Sequence, residues 1–265
     1  MLKTLVGLSL ALLPVLASAD ERGSFVTLDR AGSDNVVGLA VSAHFINETG
    51  APDVAIRENL FGRYVDSSGS GAYGQFSVAH AFGNGNSESA VGDLELGGLY
   101  VAKLDGFDLV GRLGVGLPTA SSSLTGIVTN FAGSLDRVED YALIAAHTLW
   151  LRPGLALRFG DRSFFAQLDG GIDVPIKTED GGATDPVFRA SAGVGTNQGP
   201  IALTGEVANF VVSSNGTFHY HSFAASARYV AGPLQPFVAY ALTLAYDDSD
   251  HMTVHSLTAG LQGTF

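Results

Sequence analysis

Cysteine is absent from all 265 residues, which closes off disulfides, thiol catalysis and thiolate metal sites. For a chain sent to an oxidising compartment, stability must then come from a hydrogen-bonded scaffold. Charge is also scarce, with Asp, Glu, Lys and Arg at 15% of the residues. A soluble all-β domain hides its apolar side chains and displays charge, whereas a membrane barrel reverses the two and needs few charges. Long apolar runs are missing beyond residue 19, because a charge, a glycine or an Asn-like residue interrupts each one. None reaches the ~18 residues of a spanning helix, so a helical membrane protein does not fit. Basic residues are few, 14 Lys and Arg against 26 Asp and Glu, for a net charge of -12. With no basic stripe to offset that field, nucleic acid is excluded as a partner.

What the chain does contain begins with a secretory pattern. Lys3 precedes an apolar run from Leu5 to Leu16, and Ala17-Ser18-Ala19 provides a small-residue exit before Asp20. Residues 1–19 are therefore expected to be a signal peptide, 20–35 a short periplasmic segment and 36–265 the folded body. That body is 46% hydrophobic and carries 34 glycines, with a mean hydropathy of +0.25. It is too apolar for a disordered chain and too rich in glycine for a helical bundle.

Period-two alternation, broken by Gly, Pro, Asn, Asp and Ser clusters, predicts strands at 36–46, 54–64, 71–82, 91–103, 106–118, 147–159, 163–175, 186–197, 200–212, 218–231, 234–246 and 253–265. Twelve is an even number, as a closed barrel with alternating rims requires. Compact turns at 104–106, 160–163, 197–200 and 231–233, with a slightly longer one at 66–70, alternate with longer connections at 83–90, 119–140, 177–185 and 247–251. The fold class expected is all-β: a closed antiparallel transmembrane barrel of about twelve strands, with short periplasmic turns and longer external loops.

The faces follow from cost. A charge on the lipid face at the midplane costs about 2 to 4 kcal/mol for Arg or Lys, so the apolar row of each strand points outward. In 106–118 that row is Phe107, Leu109, Leu113, Val115 and Leu117, which leaves Asp108 and Arg112 inside. In 163–175 Phe164, Leu168, Ile172 and Val174 face out while Gln167, Asp169 and Asp173 face in. The inward set of candidate lumen residues is Asp108, Arg112, Arg152, Arg158, Asp169, Asp173, Arg189, Glu206 and Arg228. Their mixed signs fit either a salt-bridged plugged lumen or a polar path that selects solutes.

Two segments fit poorly. In 54–64, Arg57 and Arg63 share one face while Glu58 takes the other, which suggests that part of the strand stands above the bilayer. Residues 141–159 keep one parity for longer than a single crossing of ~9–11 residues, and Pro153 removes a ladder donor. Either that strand projects outside or it is two segments, in which case the count changes. The last strand puts Leu257, Ala259, Leu261, Gly263 and Phe265 on one face, a pattern suited to the outer-membrane insertion machinery. Tyrosines and the single Trp150 are candidates for interfacial girdles.

The runs Tyr73-Gly74-Gln75-Phe76-Ser77-Val78, Gly92-Asp93-Leu94-Glu95-Leu96-Gly97 and Arg112-Leu113-Gly114-Val115-Gly116-Leu117-Pro118-Thr119-Ala120 resemble the MetA-pathway phenol-degradation family of outer-membrane β-barrel transporters. In that family a GDL-type strand start precedes an R-x-G-x-x-L-P-T-G-like run that opens a long external loop, and here Ala120 stands in place of the glycine. The resemblance implies transport of hydrophobic compounds across a Gram-negative outer membrane. The related long-chain fatty-acid transporters carry an N-terminal hatch, for which 20–35 is too short.

Motifs for hydrolysis, metal proteolysis and phosphate binding are missing from the sequence. Barrel lipases resemble one another in a His-x-Ser pair on one face, whereas His221-Ser222 and His255-Ser256 are adjacent and diverge. His219 and His221 share a face, and His251 lies near Asp247, Asp248 and Asp250, but no ligand spacing is fixed and solvated rim residues are the plainer reading. The expectation is a non-enzymatic barrel without cofactor, surrounded by outer-membrane lipid and passing a small, hydrophobic solute passively. The alternatives are a non-transporting surface barrel whose external loop at 119–134 does the work, and a soluble β-sandwich.

Overall fold

Alternating sequence becomes continuous wall in the computed structural model, which describes residues 25–26, 32–47, 52–83, 86–161, 163–178, 183–213, 217–246 and 251–265. The expected signal peptide lies outside them. The strands are β1 (Val36–Ile46), β2 (Val54–Val65), β3 (Ser70–Gly83), β4 (Asn86–Val91), β5 (Leu94–Leu104), β6 (Phe107–Leu117), β7 (Thr148–Gly160), β8 (Phe164–Thr178), β9 (Val187–Gln198), β10 (Ile201–Ser213), β11 (Thr217–Tyr229), β12 (Leu234–Tyr246) and β13 (His251–Thr264). All pair antiparallel with their neighbours, and pairing of β1 with both β2 and β13 closes the sheet into a ring.

The wall has twelve positions, because β4 and β5 share one. β3 pairs with β4 from Val78↔Val91 to Gly83↔Asn86 and with β5 from Ser70↔Tyr100 to Gln75↔Glu95. Between the two ladders the register slips by one residue at Gly92–Asp93, as a bulge does. The connection expected as a loop at 83–90 is therefore corrected to a tight hairpin, since Gly83 already faces Asn86. Short turns gather at the opposite rim. Gly106 (φ 84°) and Gly199 (φ 61°) hold left-handed backbone there that a β-carbon would strain.

Side-chain exposure obeys the two faces. Leu113, Leu155, Leu168, Val238 and Leu257 are exposed on the outside, and Asp108, Arg112, Asp169 and Asp173 are buried inside. Tyr64, Tyr100 and Tyr229 ring the turn rim, where Phe107 meets Phe159 at 5.8 Å. Trp150 is no girdle residue. It occupies an even position of β7 with Arg152 and Arg158, and so points into the lumen, fully buried. β2 pairs along its length with β1 and β3. Arg57 and Arg63 face in, and Glu58 is exposed on the outer face opposite Val41 and Val78.

The long run at 141–159 resolves into two segments without changing the strand count. A 3-10 helix over Val138–Ile144 precedes β7, and His147 reverses the chain between them with φ 64°. In β7 the register against β8 shifts between Leu149 and Trp150, and no β8 partner pairs with Arg152 or Pro153.

The largest correction concerns 119–140. The start of this segment stays exposed through Leu124, Ile127 and Val128, but from Thr129 on, the second half of α1 (Leu124–Gly133) and the 3-10 helix after it fold into the barrel instead of forming an external loop. Leu135, Val138, Ala142, Leu143 and Ile144 are all buried there. Their burial outweighs the Ser/Thr content that favoured solvent, and inward glycine and alanine leave the room. A β-carbon added at Gly133 would come within 2.7 Å of Ala79, and one at Gly116 within 3.1 Å of Leu143.

A lumen closed by an inserted segment

The inserted segment is held at both ends by one wall residue. In the break between β4 and β5, Asp93 accepts a hydrogen bond from the Ala120 amide at 2.6 Å, and its own amide donates to the Leu143 carbonyl at 2.8 Å. Ser123 caps α1 by accepting from the Gly126 amide. Asn130 donates to the Val91 carbonyl at 2.7 Å, and Thr243 on β12 donates to the Leu135 carbonyl.

Four side chains between Asp136 and Tyr141 then meet the wall on several sides. Asp136 accepts from Ser42 (2.5 Å) and Thr258 (3.3 Å) and lies 3.7 Å from Arg57. Glu139 accepts from Ser191 and sits 4.0 Å from Arg189. Asp140 accepts from Arg57 at 2.8 Å, Gln75 at 3.0 Å and its own neighbour Arg137 at 3.0 Å. Tyr141 stacks on Phe210 at 4.8 Å, and Phe210 on Tyr220 at 4.3 Å. Burial alone would raise the Asp136 carboxyl, but His44, Arg57, Ser42 and Arg137 hold it below the usual carboxylate value. The Tyr141 phenol is pushed up by burial.

Among the nine residues singled out from the sequence, five form one network beside the segment. Arg112 donates to Asp169 at 2.6 Å. Arg152 reaches Glu95 (2.7 Å), Asp173 (3.0 Å) and the Glu139 carbonyl (2.6 Å), and Arg189 shares Asp173 at 2.9 Å. The other four lie apart. Asp108 and Arg158 face each other in register beside the turn rim. Glu206 accepts from the Val26 amide at 2.9 Å, and the Arg228 guanidinium lies over the Phe237 ring at 4.8 Å. All nine are buried.

Alternation could not find the residues that the segment brings. Asp136, Arg137, Glu139 and Asp140 fall in a stretch with loop character, Arg57 in a strand that carries charge on both faces, and Glu95 in a Gly-rich motif at the start of a strand. The segment expected to be periplasmic also contributes. Phe25 and Val26 are buried inside, with Phe25 edge-on to Phe165 at 5.4 Å and the Val26 carbonyl accepting from Arg137. N-terminal chain and inserted segment thus touch within the lumen. A cavity of about 30 Å³ beside the segment is lined by Asn59, Arg63, Tyr73, Gln75 and Arg137 among others. That is room for about one water.

Ser256, His44 and Asp136 fall in an order that resembles a hydrolase relay, with Ser256 2.8 Å from His44 Nδ1. The His44 Nε2 to Asp136 separation of 3.8 Å is too long for a hydrogen bond. The imidazole is wholly buried, and its acid belongs to the inserted segment, so displacing that segment to admit a substrate would dismantle the relay. His219 and His221 stack 6.4 Å apart near the loop rim.

No family model matches the chain, and no curated protein matches it. Solved structures do. An outer membrane channel from Pseudomonas putida F1 superposes with a TM-score of 0.61 at 11% identity, covering 95% of this chain and 100% of that one. The NanC porin gives 0.54 at 12% identity over 86% and 100% of the two chains. The CymD monoaromatic hydrocarbon channel gives 0.51 at 8% identity over 89% and 90%. At such identities the likeness shows the fold, a twelve-stranded outer-membrane-type barrel.

Proposed function

We propose that the chain is an outer-membrane channel for passive passage of a small solute with an apolar part, seen here shut. The observation that carries this is how the lumen is blocked. Every ladder of the ring closes without α1 or the 3-10 helix, so the stopper can leave while the wall stands. Its grip combines the burial of Leu135, Val138 and Leu143 with side-chain bonds and ion pairs to the wall, none of them covalent and none part of a ladder.

The apolar part of the solute is supported by the aromatic lining of Phe165, Phe210 and Tyr220 on the inner face of β8, β10 and β11, where a purely aqueous pore has no need of rings. The short motifs that resemble the phenol-degradation family point the same way, as does the similarity to a channel for monoaromatic hydrocarbons. In this reading the signal peptide is removed near Ala19/Asp20. The last strand ending at Phe265 is presented to the insertion machinery, and outer-membrane lipid surrounds the apolar outer face. No cofactor or covalent step takes part.

A second reading, a barrel that transports nothing and is permanently plugged, draws on the water-sized cavity. Single-channel conductance and liposome swelling with the refolded chain separate the two. Discrete openings and solute uptake are expected, and a bilayer that stays sealed to every solute rejects transport while leaving the barrel intact.

A further inference from the structure

We infer that Asp140 and Tyr141 occupy the channel's own solute site, and that the solute whose place they take is a small aromatic carboxylate. The inference rests on the transport reading above and narrows it to a substrate class.

Asp140 is fully buried. One carboxylate oxygen receives the Arg57 guanidinium and the other the Gln75 amide, so two donors from β2 and β3 hold it in a fork. The next residue sends its ring the other way, onto Phe210 and Tyr220 of β10 and β11. Two successive residues of the stopper thus present a carboxylate to donors on one wall and a ring to aromatics on another. A carboxylate and a ring are thus the two groups that these walls receive, and a solute carrying both can take their place once the stopper has gone.

Charge pairing gives the independent argument. Without the stopper, Arg112 keeps Asp169, Arg152 keeps Glu95 and Asp173, and Arg189 keeps Asp173, all on the wall. Among the described residues, both carboxylates paired with Arg57, Asp136 and Asp140, belong to the stopper. Opening therefore takes both of these partners from Arg57, and an uncompensated charge in the lumen is costly. An anion arriving with the solute restores the pairing, while a neutral aromatic leaves the cation bare.

The test uses full-length protein in planar bilayers in KCl, with benzoate, acetate and benzyl alcohol as probes. Asp140→Asn, which loosens the stopper's hold on Arg57, supplies the conducting background. Benzoate is expected to interrupt the current at a concentration about tenfold below either other probe. Arg57→Gln in that background should erase its advantage over benzyl alcohol, and Phe210→Leu its advantage over acetate. Should Arg57→Gln yield no folded barrel, Gln75→Leu removes the other donor of the fork and should lower benzoate potency in the same way. Equal potency of the three probes in an open channel overturns the inference and leaves transport standing. Sealed bilayers with every variant, together with no liposome uptake of any probe, reject the transport reading and this inference with it.

Discussion

Arg152 concentrates the energetics of single side chains. Its guanidinium is almost wholly buried and joins Glu95, Asp173 and the Glu139 carbonyl. Replacing it by Met keeps much of the volume but takes one guanidinium from each of Glu95 and Asp173. Breaking a buried pair in this way costs about 3 to 5 kcal/mol. Arg152→Met should therefore lower the denaturant midpoint of the refolded barrel, and a midpoint unchanged from the parent would show that the network adds nothing. Arg152 and Asp173 were legible in the sequence, because an isolated charge in an otherwise apolar-alternating strand has only one face to occupy. Glu95 was hidden by the bulge at Gly92–Asp93, which changes parity just before it. Glu139 and Asp140 had no period to betray them at all.

Among the elements, the inserted segment has a pH dependence of its own. The Asp136 carboxyl lies below its ordinary value while the segment is seated, so the seated form binds fewer protons than the released one as pH falls. Its contribution is complete above about pH 4, where a free carboxylate is already ionised. It is lost as pH falls through the lowered value. Openings at pH 3 should be more frequent than at pH 7, and Asp136→Asn should flatten that difference by making the parent's acid behaviour permanent. If acid leaves the opening frequency of the parent unchanged, Asp136 does not hold the segment. The strands were readable to within a few residues, because alternation and turn chemistry report a backbone period directly. The segment's destination was not readable, because Ser and Thr suit water and a polar lumen equally. What drew it inside was the combination of Leu135, Val138 and Leu143 with space beside Gly116 and Ala79, a pairing distant in sequence.

For the molecule as a whole, wall and stopper are separable. Replacing 120–146 by a short Gly/Ser linker removes no strand and no ladder partner, so the shortened chain should still refold to a barrel whose gel mobility shifts on heating. Its conductance should exceed the parent's by an order of magnitude or more, since α1 and the 3-10 helix both leave the lumen; the channel radius scales with strand number and an eight-stranded ring is already filled by side chains. Loss of the mobility shift would show that the stopper is needed to build the wall.

The ring is shut where β1 lies against β13, with the Phe265 amide donating to the Asn35 carbonyl. First and last strands meet there, while the stopper comes from the middle of the chain. Until the final strand is in hand the assembling protein is a curled ribbon with two free margins, open along its length. The stopper can thus be laid on that ribbon and rolled up with it, so that no helix has to thread a finished mouth.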